Sequence, residues 1–339
     1  MKKILMIVDY EGKFRGGLPT TSSLNISKII TYFKEAGFEV ETKKFNDVAN
    51  NLFKEFPGYI IYTSVENTSY KMYLDDILFT LYSNGKNLIP RYELFRAHDN
   101  KAYQEILKQL CHIDSNPGKI YRKWDEIEAD IKSFHYPLII KNVSGSVGKA
   151  VFKIENELML EQIYDGFIFQ HKSQSFNTKR KIKKKLNYKY DKIWYDRENQ
   201  KSYVIIQTFI PNLDGDWKIL VFGDKYFVLK RGIRSGDFRA SGSGILDFEI
   251  DPPEELLNFA EDIFHKLDTP FISLDIAMSD SNMCHLIEYQ ALHFGPLTLT
   301  ASKKYYTNLN GSWEKVVTDS ELEKNYVDAY LSYIKKRKL

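Results

Sequence analysis

The chain has 339 residues, of which 43% are hydrophobic and 27% are charged, a composition typical of a folded protein with two or three domains. Its net charge of +3 is too small to indicate nucleic acid as the main partner, and no apolar run approaches the roughly 18 residues of a membrane span. The two cysteines, Cys111 and Cys284, lack CxxC spacing and predict free thiols in a reducing cytoplasm, not a disulfide or a zinc site.

The first 96 residues alternate short apolar runs with amphipathic segments, which predicts a parallel α/β domain. The first apolar run stops at Asp9 and is too short for a signal peptide, so we expect it to form a buried strand. The predicted strands of this domain cover 4–8, 38–44, 59–62 and 87–90, and the predicted helices cover 22–36 and 73–83.

A second pattern begins near residue 97, where we predict a helix at 99–110 with Asp99 as its N-cap. The strands predicted after it cover 137–141, 150–154, 166–170 and 203–210. The Gly- and Ser-rich turn at 144–148 separates two strands and so predicts a hairpin, not the strand-to-helix setting of a Walker loop. A basic run at 179–185 lies in a predicted insertion, and it indicates either a binding surface for nucleic acid, acidic lipid or an acidic peptide, or a solvated loop or helix face.

The C-terminal part again predicts paired strands, two of them joined by a tight turn at Gly223-Asp224. The predicted strands cover 217–222, 225–230, 271–278 and 283–289, and the predicted helices cover 253–267 and 320–335.

Three oxygen-bearing side chains lie on the last predicted pair of strands. Glu288 and Gln290 are two residues apart and therefore share a face of their strand, and Asp275 lies on the neighbouring strand. Carboxylate and amide oxygens suit Mg²⁺, so this set is a candidate metal site; ordinary surface acids are the alternative.

Cations gather in two other places. Lys141 ends the strand before the Gly-rich turn, where glycines allow backbone N–H groups to approach phosphate oxygens; a flexible hairpin turn with a solvent-exposed lysine is the alternative. Five further cations fall within about twenty residues and suit phosphate or carboxylate ligands, with a solvated basic loop as the alternative. They are Lys218, Lys230, Arg231, Arg234 and Arg239. The histidines form no metal pattern; for His293, which follows the proposed metal strand, we expect a structural role or one that supports the metal ligands, with catalysis as the alternative.

The order of these motifs resembles that of the ATP-grasp superfamily, in the branch with glutathione synthetase and the glutamate-adding ligases. The segments that carry the resemblance are Asp99-Asn100-Lys101, Pro137–Lys141, the turn at 144–148, Gln207-Thr208-Phe209-Ile210, Asp216-Trp217-Lys218, Asp237-Phe238-Arg239, and Asp275 with Glu288 and Gln290. The chain departs from the family pattern at three of these positions: Gln207 stands where Glu is usual, Lys218 where Arg is usual, and Gln290 where Asn is usual.

The resemblance implies an α/β chain with an ATP-grasp fold, in which two α+β subdomains clasp ATP, preceded by an N-terminal parallel α/β domain. It implies that the N-terminal domain covers 1–96. The first ATP-grasp subdomain would cover 97–210, with the Gly-rich lid and a basic insertion at 172–202. The second would cover 211–339 and carry the metal and phosphate site.

The resemblance also implies ATP and Mg²⁺ as cofactors and assigns roles to individual residues. The metal ligands would be Asp275, Glu288 and Gln290. The catalytic cations would be Arg239, Lys218 and Arg231. The nucleotide-binding residues would be Lys101, Lys141, Ser144, Gly145, Ser146, Gly148, Gln207, Phe209, Ile210, Asp214, Asp216 and Lys230.

The activity that the resemblance implies is that of an ADP-forming carboxylate–amine ligase. ATP would activate a carboxylate of a small metabolite, a peptide or a sugar acid as an acylphosphate, and an amine would then displace phosphate. A kinase-type phosphoryl transfer and a non-catalytic nucleotide-binding protein are the alternatives. We expect a cytoplasmic protein, with a homodimer as the default assembly, and the segments 12–17 and 305–312 are candidate substrate loops.

Overall fold

The computed structural model describes residues 2–15, 23–51, 58–65, 67–143, 151–169 and 203–337. The predicted lid residues Ser144, Gly145, Ser146 and Gly148, and the basic run at 179–185, lie outside the described residues. The chain forms two compact units. The first contains Met1–Asp99, Leu107–Ser115 and Asn212–Leu339, and the second contains Asn100–Ile106 and Asn116–Pro211. The three-part division at 96 and 210 stays a prediction.

The first unit begins with a parallel sheet in the order β2-β1-β3-β4, so the parallel α/β fold predicted for the N-terminal part is confirmed. Its strands are β1 (Lys2–Val8), β2 (Phe38–Lys44), β3 (Tyr59–Tyr62) and β4 (Asn87–Ile89). The accompanying helices are α1 (Ile26–Glu35), α2 (Phe45–Ala49), α3 (Thr68–Ser83) and α4 (Tyr92–Ala97). Every residue of β3 is buried, as expected for a strand in the middle of a sheet with both faces covered.

The second unit contains an antiparallel sheet in the order β5-β8-β6-β7. Its strands are β5 (Lys119–Tyr121), β6 (Leu138–Asn142), β7 (Val151–Ile154) and β8 (Val204–Thr208). The helices of this part of the chain are α5 (Lys101–Leu110), which continues into the first unit, α6 (Trp124–Asp130) and α7 (Glu157–Phe169). One face of the sheet packs against α6 and α7 around Ile127, Leu160 and Tyr164.

Two sequence predictions for this region are wrong. The strand predicted at 166–170 is wrong over 166–169, which form the end of α7, and residue 170 lies outside the described residues. Leu160 and Tyr164, four residues apart earlier in the same helix, are both buried, which is the spacing of a helical face. Asp99 does not cap α5: it has φ of 53°, and Asn100 Oδ1 instead accepts a hydrogen bond from Tyr103 N at 3.1 Å.

The remainder of the first unit contains a large antiparallel sheet in the order β13-β12-β9-β10-β14-β15, with β11 paired to β10. Its strands are β9 (Gly215–Phe222), β10 (Lys225–Gly232), β11 (Leu246–Asp247), β12 (Phe271–Met278), β13 (Cys284–Gln290), β14 (Lys304–Leu309) and β15 (Ser312–Val317). Its helices are α8 (Glu254–Leu267), α9 (Leu297–Ala301) and α10 (Leu322–Lys336).

The segment 305–312, expected to be a substrate loop, instead contains most of strand β14 and the turn that joins it to β15 in a β-hairpin. Asn310 and Gly311 form its turn with positive φ values of 55° and 91°. Asn-Gly is the dipeptide that favours this type of two-residue turn, so the sequence does contain a signal for the hairpin.

The parallel sheet and the large sheet share one apolar core. The ring of Tyr330 on α10 lies 6.1 Å from the ring of Phe33 on α1 and 5.1 Å from that of Phe271 on β12. The same cluster includes Met6 of β1 and Phe222 of β9. The N-terminal and C-terminal parts of the chain therefore fold as one unit. Among the described residues, no helix combines the length and the apolar character needed to cross a membrane.

Candidate active site

A row of charged and amide side chains lies on one face of the large sheet. The strand register pairs Lys218 with Asp275 and Asp275 with Glu288. It also pairs Asp216, two residues before Lys218, with Arg231. Residues directly opposite one another on paired strands, and residues two apart on one strand, share a face. The candidate metal ligands and two of the three candidate catalytic cations therefore lie on the same surface.

Four of these side chains form a continuous ion-pair network. Arg231 binds Asp216 through two hydrogen bonds, Nε to Oδ1 at 2.6 Å and Nη2 to Oδ2 at 2.7 Å. Arg231 Nη2 also lies 2.8 Å from Asp275 Oδ2, and Lys218 Nζ lies 3.1 Å from Asp275 Oδ1. Lys218 is the most exposed of the four side chains, at 21%. Two cations thus neutralise two carboxylates in a site that is largely shielded from water.

The protonation of the network follows from its contacts. Burial by itself raises the pKa of Asp275, but the nearby charges of Lys218 and Arg231 outweigh it and lower the pKa to about 2. For Asp216, burial dominates and raises the pKa above its ordinary value, even though Arg231 acts in the opposite direction. Burial disfavours the Arg231 cation, yet Asp275 and Asp216 together raise its pKa. Arg231 is therefore a permanent positive charge between two acids.

Two local backbone features bring these strands into this register. A Cβ atom on Gly215 would lie 2.1 Å from the carbonyl oxygen of Arg231, so only glycine permits β9 and β10 to approach this closely where the network begins. A β-bulge in the pairing of β12 with β13 lies between Asp275 and Ile276. Because Ile276 pairs with Leu286 while Asp275 pairs with Glu288, the bulge brings the two acids opposite one another.

Glu288 and Gln290 fit a hard metal ion. Gln290 Nε2 donates to Glu288 Oε1 at 3.1 Å, while Gln290 Oε1 is buried and has no hydrogen-bond partner. A buried acceptor without a partner is costly, and a cation would satisfy it. Asp275 completes an oxygen set suited to Mg²⁺. The described residues contain no group of three or more His, Cys, Asp or Glu side chains placed to hold a metal, so the amide oxygen is needed for a third ligand.

Three other predicted site residues, Lys230, Asp214 and Arg239, form ion pairs outside the Asp275 network. Lys230 and Arg231 lie on opposite faces of β10. The Nζ of Lys230 lies 4.8 Å from the centroid of the Trp217 ring and 2.7 Å from Asp214 Oδ1. Arg239 pairs with Asp237, with Nε to Oδ1 at 2.9 Å, and this bond is the main reason that the pKa of Asp237 falls to about 2. The structure thus places Arg239 in a loop pair and not in the Asp275 network.

In the second unit, a face of the small sheet carries predicted nucleotide-binding residues. The register pairs Lys141 with Ile205, and Ile139 with Gln207. Their neighbours on β8, Val204 and Ile206, point into the core with α6 and α7, so Lys141 and Gln207 share the opposite face. Ile139 and Ile205 on that face are buried, and Gly118 packs closely against Ile205.

Backbone contacts bring two more predicted residues near this face. Lys101 N donates to Val143 O at 3.0 Å, which ties the start of α5 to the end of the strand that carries Lys141. Phe209 follows β8, and Lys153 Nζ lies 4.5 Å from the centroid of its ring. Ile210, next in sequence, is half-buried.

A carboxylate that the sequence analysis did not assign contacts Gln207. Glu105 of α5 is buried; its Oε2 accepts from Gly118 N at 2.8 Å and its Oε1 accepts from Gln207 Nε2 at 3.2 Å. Gln207 Nε2 also donates to Asn116 O at 2.8 Å, while Gln207 Oε1 is buried without a partner. The position of Glu105 four residues after Lys101, on the same face of α5, was a signal in the sequence that could have identified it.

Comparison with known proteins agrees with the fold. Residues 97–286 match the model of the RimK-like ATP-grasp domain, which covers more than half of the chain. The chain belongs to this family. No curated protein sequence matches it.

Three solved structures illustrate the range of similar proteins. D-alanine–D-alanine ligase from Bacillus anthracis is 13% identical, with a TM-score of 0.52, and the match covers 100% of this chain and 99% of that one. L-amino acid ligase from Bacillus licheniformis is 13% identical, with a TM-score of 0.53 and coverage of 92% and 73%. N5-carboxyaminoimidazole synthetase from Staphylococcus aureus, complexed with ADP, is 13% identical, with a TM-score of 0.53 and coverage of 92% and 79%. These likenesses confirm the ATP-grasp fold, with the N-terminal parallel α/β domain ahead of it.

Proposed function

We propose that this member of the RimK-like ATP-grasp family is an ADP-forming ligase that joins a carboxylate to an amine. The observation that carries the proposal is the shared face of Asp216, Lys218, Arg231, Asp275 and Glu288 on the large sheet. Such a surface combines cations for a transferred phosphoryl group with oxygen ligands for its metal. The names of similar structures, which include two ligases and a synthetase complexed with ADP, agree with this chemistry.

In this proposal each described residue has one task. Lys101 and Lys141 neutralise nucleotide phosphates, and Gln207, Phe209 and Ile210 contact the base. Asp214 or Asp216 would lie near the ribose, and Lys230 would add a positive charge to the nucleotide site. The residues of the turn at 144–148 would complete the phosphate contacts. These assignments extend the family resemblance to the matching residues of this chain.

Asp275, Glu288 and Gln290 are the residues that would hold Mg²⁺, which when bound neutralises phosphate charge. Lys218 and Arg231 supply fixed positive charge on the same sheet face, where low solvent exposure makes such charge more effective than in water. Arg239 would bind the substrate carboxylate or the transferred phosphate after leaving Asp237. Phosphoryl transfer depends mostly on positioning and charge of this kind.

The proposed reaction has two steps. A carboxylate oxygen forms a bond to the γ-phosphorus of ATP, and the bond from that phosphorus to the β–γ bridging oxygen breaks and releases ADP. The nitrogen lone pair of an amine then forms a bond to the acyl carbon, the carbon–oxygen bond to phosphate breaks with its electron pair, and the nitrogen loses a proton. Lys218 and Arg231 stabilise the negative charge on the transferred group in both steps.

The test is ATP turnover with Mg²⁺ against a panel of carboxylates and amines. Wild type is compared with Glu288→Gln, which removes one charge from the candidate metal set, and with Glu314→Gln, which changes an exposed acid on the outer strand β15. We expect ADP and phosphate release that requires both substrates and falls at least about 100-fold in Glu288→Gln only. ADP release without phosphate release would instead indicate kinase-type transfer. Failure of the well-folded protein to bind any nucleotide would overturn the proposal.

A further inference from the structure

A buried histidine outside the charged face joins two distant parts of the first unit. His98 directly follows α4 and is 4% exposed. Its Nδ1 lies 3.0 Å from Ser64 Oγ, and its ring also forms a hydrogen bond with the backbone of His293. The ring centroids of His98 and His293 are 5.7 Å apart.

The two partners of His98 belong to different sheets. Ser64 is the second residue after β3, at the carboxyl edge of the parallel sheet, and it is fully buried. His293 is the third residue after Gln290, which ends β13. One imidazole therefore links the edge of the parallel sheet to the segment that directly follows the candidate metal strand. The other residues of that segment, Ala291, Leu292 and Phe294, are all buried.

The surroundings of His98 determine the protonation state of its ring. Burial, with the charges of Lys71 and His293, lowers the pKa of His98 well below its ordinary value, so the ring is neutral. A neutral imidazole has one N–H donor and one acceptor nitrogen. The hydrogen bond to the His293 backbone acts in the opposite direction and raises the pKa of His98, as a bond from a ring N–H to a carbonyl oxygen does. When Nε2 carries the proton of that bond, Nδ1 is the acceptor and the Ser64 hydroxyl donates to it.

The backbone of His98 is held independently of its ring. Its N–H donates to Leu94 O at 3.0 Å, and Lys71 Nζ donates to its carbonyl oxygen. Lys71 itself is substantially buried, which lowers its pKa to about 8. The ring therefore projects from a fixed backbone, which is what a group that positions another segment requires.

We propose that His98 is a positioning residue for the candidate metal strand, acting through the backbone of His293. By fixing the segment after Gln290, it would hold the Gln290 oxygen and the Glu288 carboxylate in place for a metal–nucleotide complex. The inference rests on the proposed function, because it presumes that these oxygens bind a metal. Groups that support metal ligands from behind commonly change metal affinity by about 10-fold or more when they are removed.

The two bonds of His98 can be separated by matched substitutions. The amide of His98→Gln reaches the position of Nε2 and can still donate to His293 O, whereas the shorter amide of His98→Asn occupies the position of Nδ1 and keeps the Ser64 bond. Ser64→Ala removes only the Ser64 bond. The measurement is the affinity of each variant for Mn²⁺ in the presence of ADP, by electron paramagnetic resonance of free Mn²⁺, with the unfolding temperature measured in parallel.

We expect His98→Asn to bind Mn²⁺ with ADP about 10-fold more weakly, and His98→Gln and Ser64→Ala to stay close to wild type. Equal affinities in His98→Asn and His98→Gln, whatever their unfolding temperatures, would mean that His98 only packs the core and would overturn the inference. If His98→Asn does not fold, Lys71→Met loosens the same backbone without changing the ring. An unchanged affinity in that variant would overturn the inference as well.

Failure of the proposed function and failure of the role of His98 give different binding results. Wild-type protein that binds neither Mn²⁺ nor ADP would overturn the proposed function and this inference with it. Wild-type protein that binds both, together with variants that are all unchanged, would overturn the role of His98 alone.

Discussion

Lys218 and Asp275 lie directly opposite one another on β9 and β12, with Lys218 Nζ 3.1 Å from Asp275 Oδ1. The other carboxylate oxygen is 2.8 Å from Arg231 Nη2. The residue that we propose as a metal ligand therefore has both oxygens engaged by cations. A divalent ion that approaches Asp275 meets two positive charges, and nucleotide phosphates are the groups able to attract those charges away.

The first prediction is that metal binding depends on nucleotide. Mn²⁺ should bind weakly to the nucleotide-free protein and more tightly with ADP, because phosphate groups compete with Asp275 for Lys218 and Arg231. In Lys218→Met, Mn²⁺ should bind the nucleotide-free protein on the order of tenfold more tightly, equivalent to about 1.4 kcal/mol. Turnover should fall by about 100-fold or more in the same variant, because a cation for the transferred group is lost.

The control for this prediction is Lys225→Met. Lys225 begins the neighbouring strand β10 and pairs with Asp328, on the surface covered by α10. Its removal should leave Mn²⁺ affinity unchanged. Metal titrations with and without ADP decide the question, and tight Mn²⁺ binding to nucleotide-free wild type would contradict the explanation.

A second prediction concerns stability. Arg231 is buried between Asp216 and Asp275, so Arg231→Met would leave two carboxylates with one remaining cation. Breaking a buried pair in this way typically lowers the free energy of unfolding by about 3–5 kcal/mol. Asp216→Asn in the same chain should restore part of that loss, since it removes one of the uncompensated charges.

Urea unfolding of the two single variants and the double variant gives the coupling energy between Asp216 and Arg231. A loss of less than about 1 kcal/mol in Arg231→Met would place the network in the class of exposed surface pairs and contradict its shielded character.

The sequence predicted the strands of this site better than their register. Strand β12 was predicted with the observed bounds, and the shared face of Glu288 and Gln290 followed from their spacing alone. The β-bulge that brings Glu288 opposite Asp275 depends on contacts between strands, and no residue type in either strand indicates it. Without the bulge, Asp275 would have Ile287 as its neighbour, and the two acids would lie on different faces.

Arg231 contacts both Asp216 and Asp275, an arrangement that the sequence does not indicate. The sequence identified Lys218, Arg231 and Arg239 as cations of one site, but it did not indicate that Arg231 would bind two acids while Arg239 paired with Asp237. Strand alternation could have separated Lys230 from Arg231, since adjacent residues in a strand point to opposite faces. The partners of Arg231 come from β9 and β12, and only the folded sheet brings those strands to either side of it.

A third prediction concerns pH. The pKa of His98 is lowered in the folded protein, mainly by burial, whereas in the unfolded chain it takes its ordinary value near 6.5. Below about pH 6.5 the unfolded chain binds a proton that the folded protein does not, so the contribution of His98 to stability is complete above that pH and is lost as the pH falls. The loss is at most about 1.4 kcal/mol per pH unit.

Unfolding free energies at pH 7.5 and pH 5.5 should therefore differ more in wild type than in His98→Gln, by up to about 1.4 kcal/mol for each unit below pH 6.5. Comparing the two proteins cancels the contributions of other groups, including His285, whose pKa burial also lowers. Parallel pH profiles in the two proteins would show that His98 titrates normally in the fold.

The last prediction concerns Gln207, where the family more often has Glu. Gln207 Nε2 donates to Glu105 Oε1 at 3.2 Å and to Asn116 O at 2.8 Å, so a carboxylate at position 207 would lose both donated bonds and face a second buried acid. Gln207→Glu should destabilise the protein by about 1–3 kcal/mol at pH 8. Burial and the charge of Glu105 would raise the pKa of the new carboxyl, and its protonated form can donate again. The penalty should therefore be complete above that raised pKa and shrink as the pH falls towards about 4.3.

Gln207→Met is the matched control, because it removes the same donors without adding a titratable group. Its loss of stability relative to wild type should be similar at pH 8 and pH 5, whereas that of Gln207→Glu should be smaller at pH 5. Equal losses at both pH values in the two variants would mean that Glu105 does not face a charge at position 207. The pH-dependent outcome would explain the departure from the family pattern locally: with an acid already buried at Glu105, the neighbouring strand requires a donor, and an amide provides one at every pH.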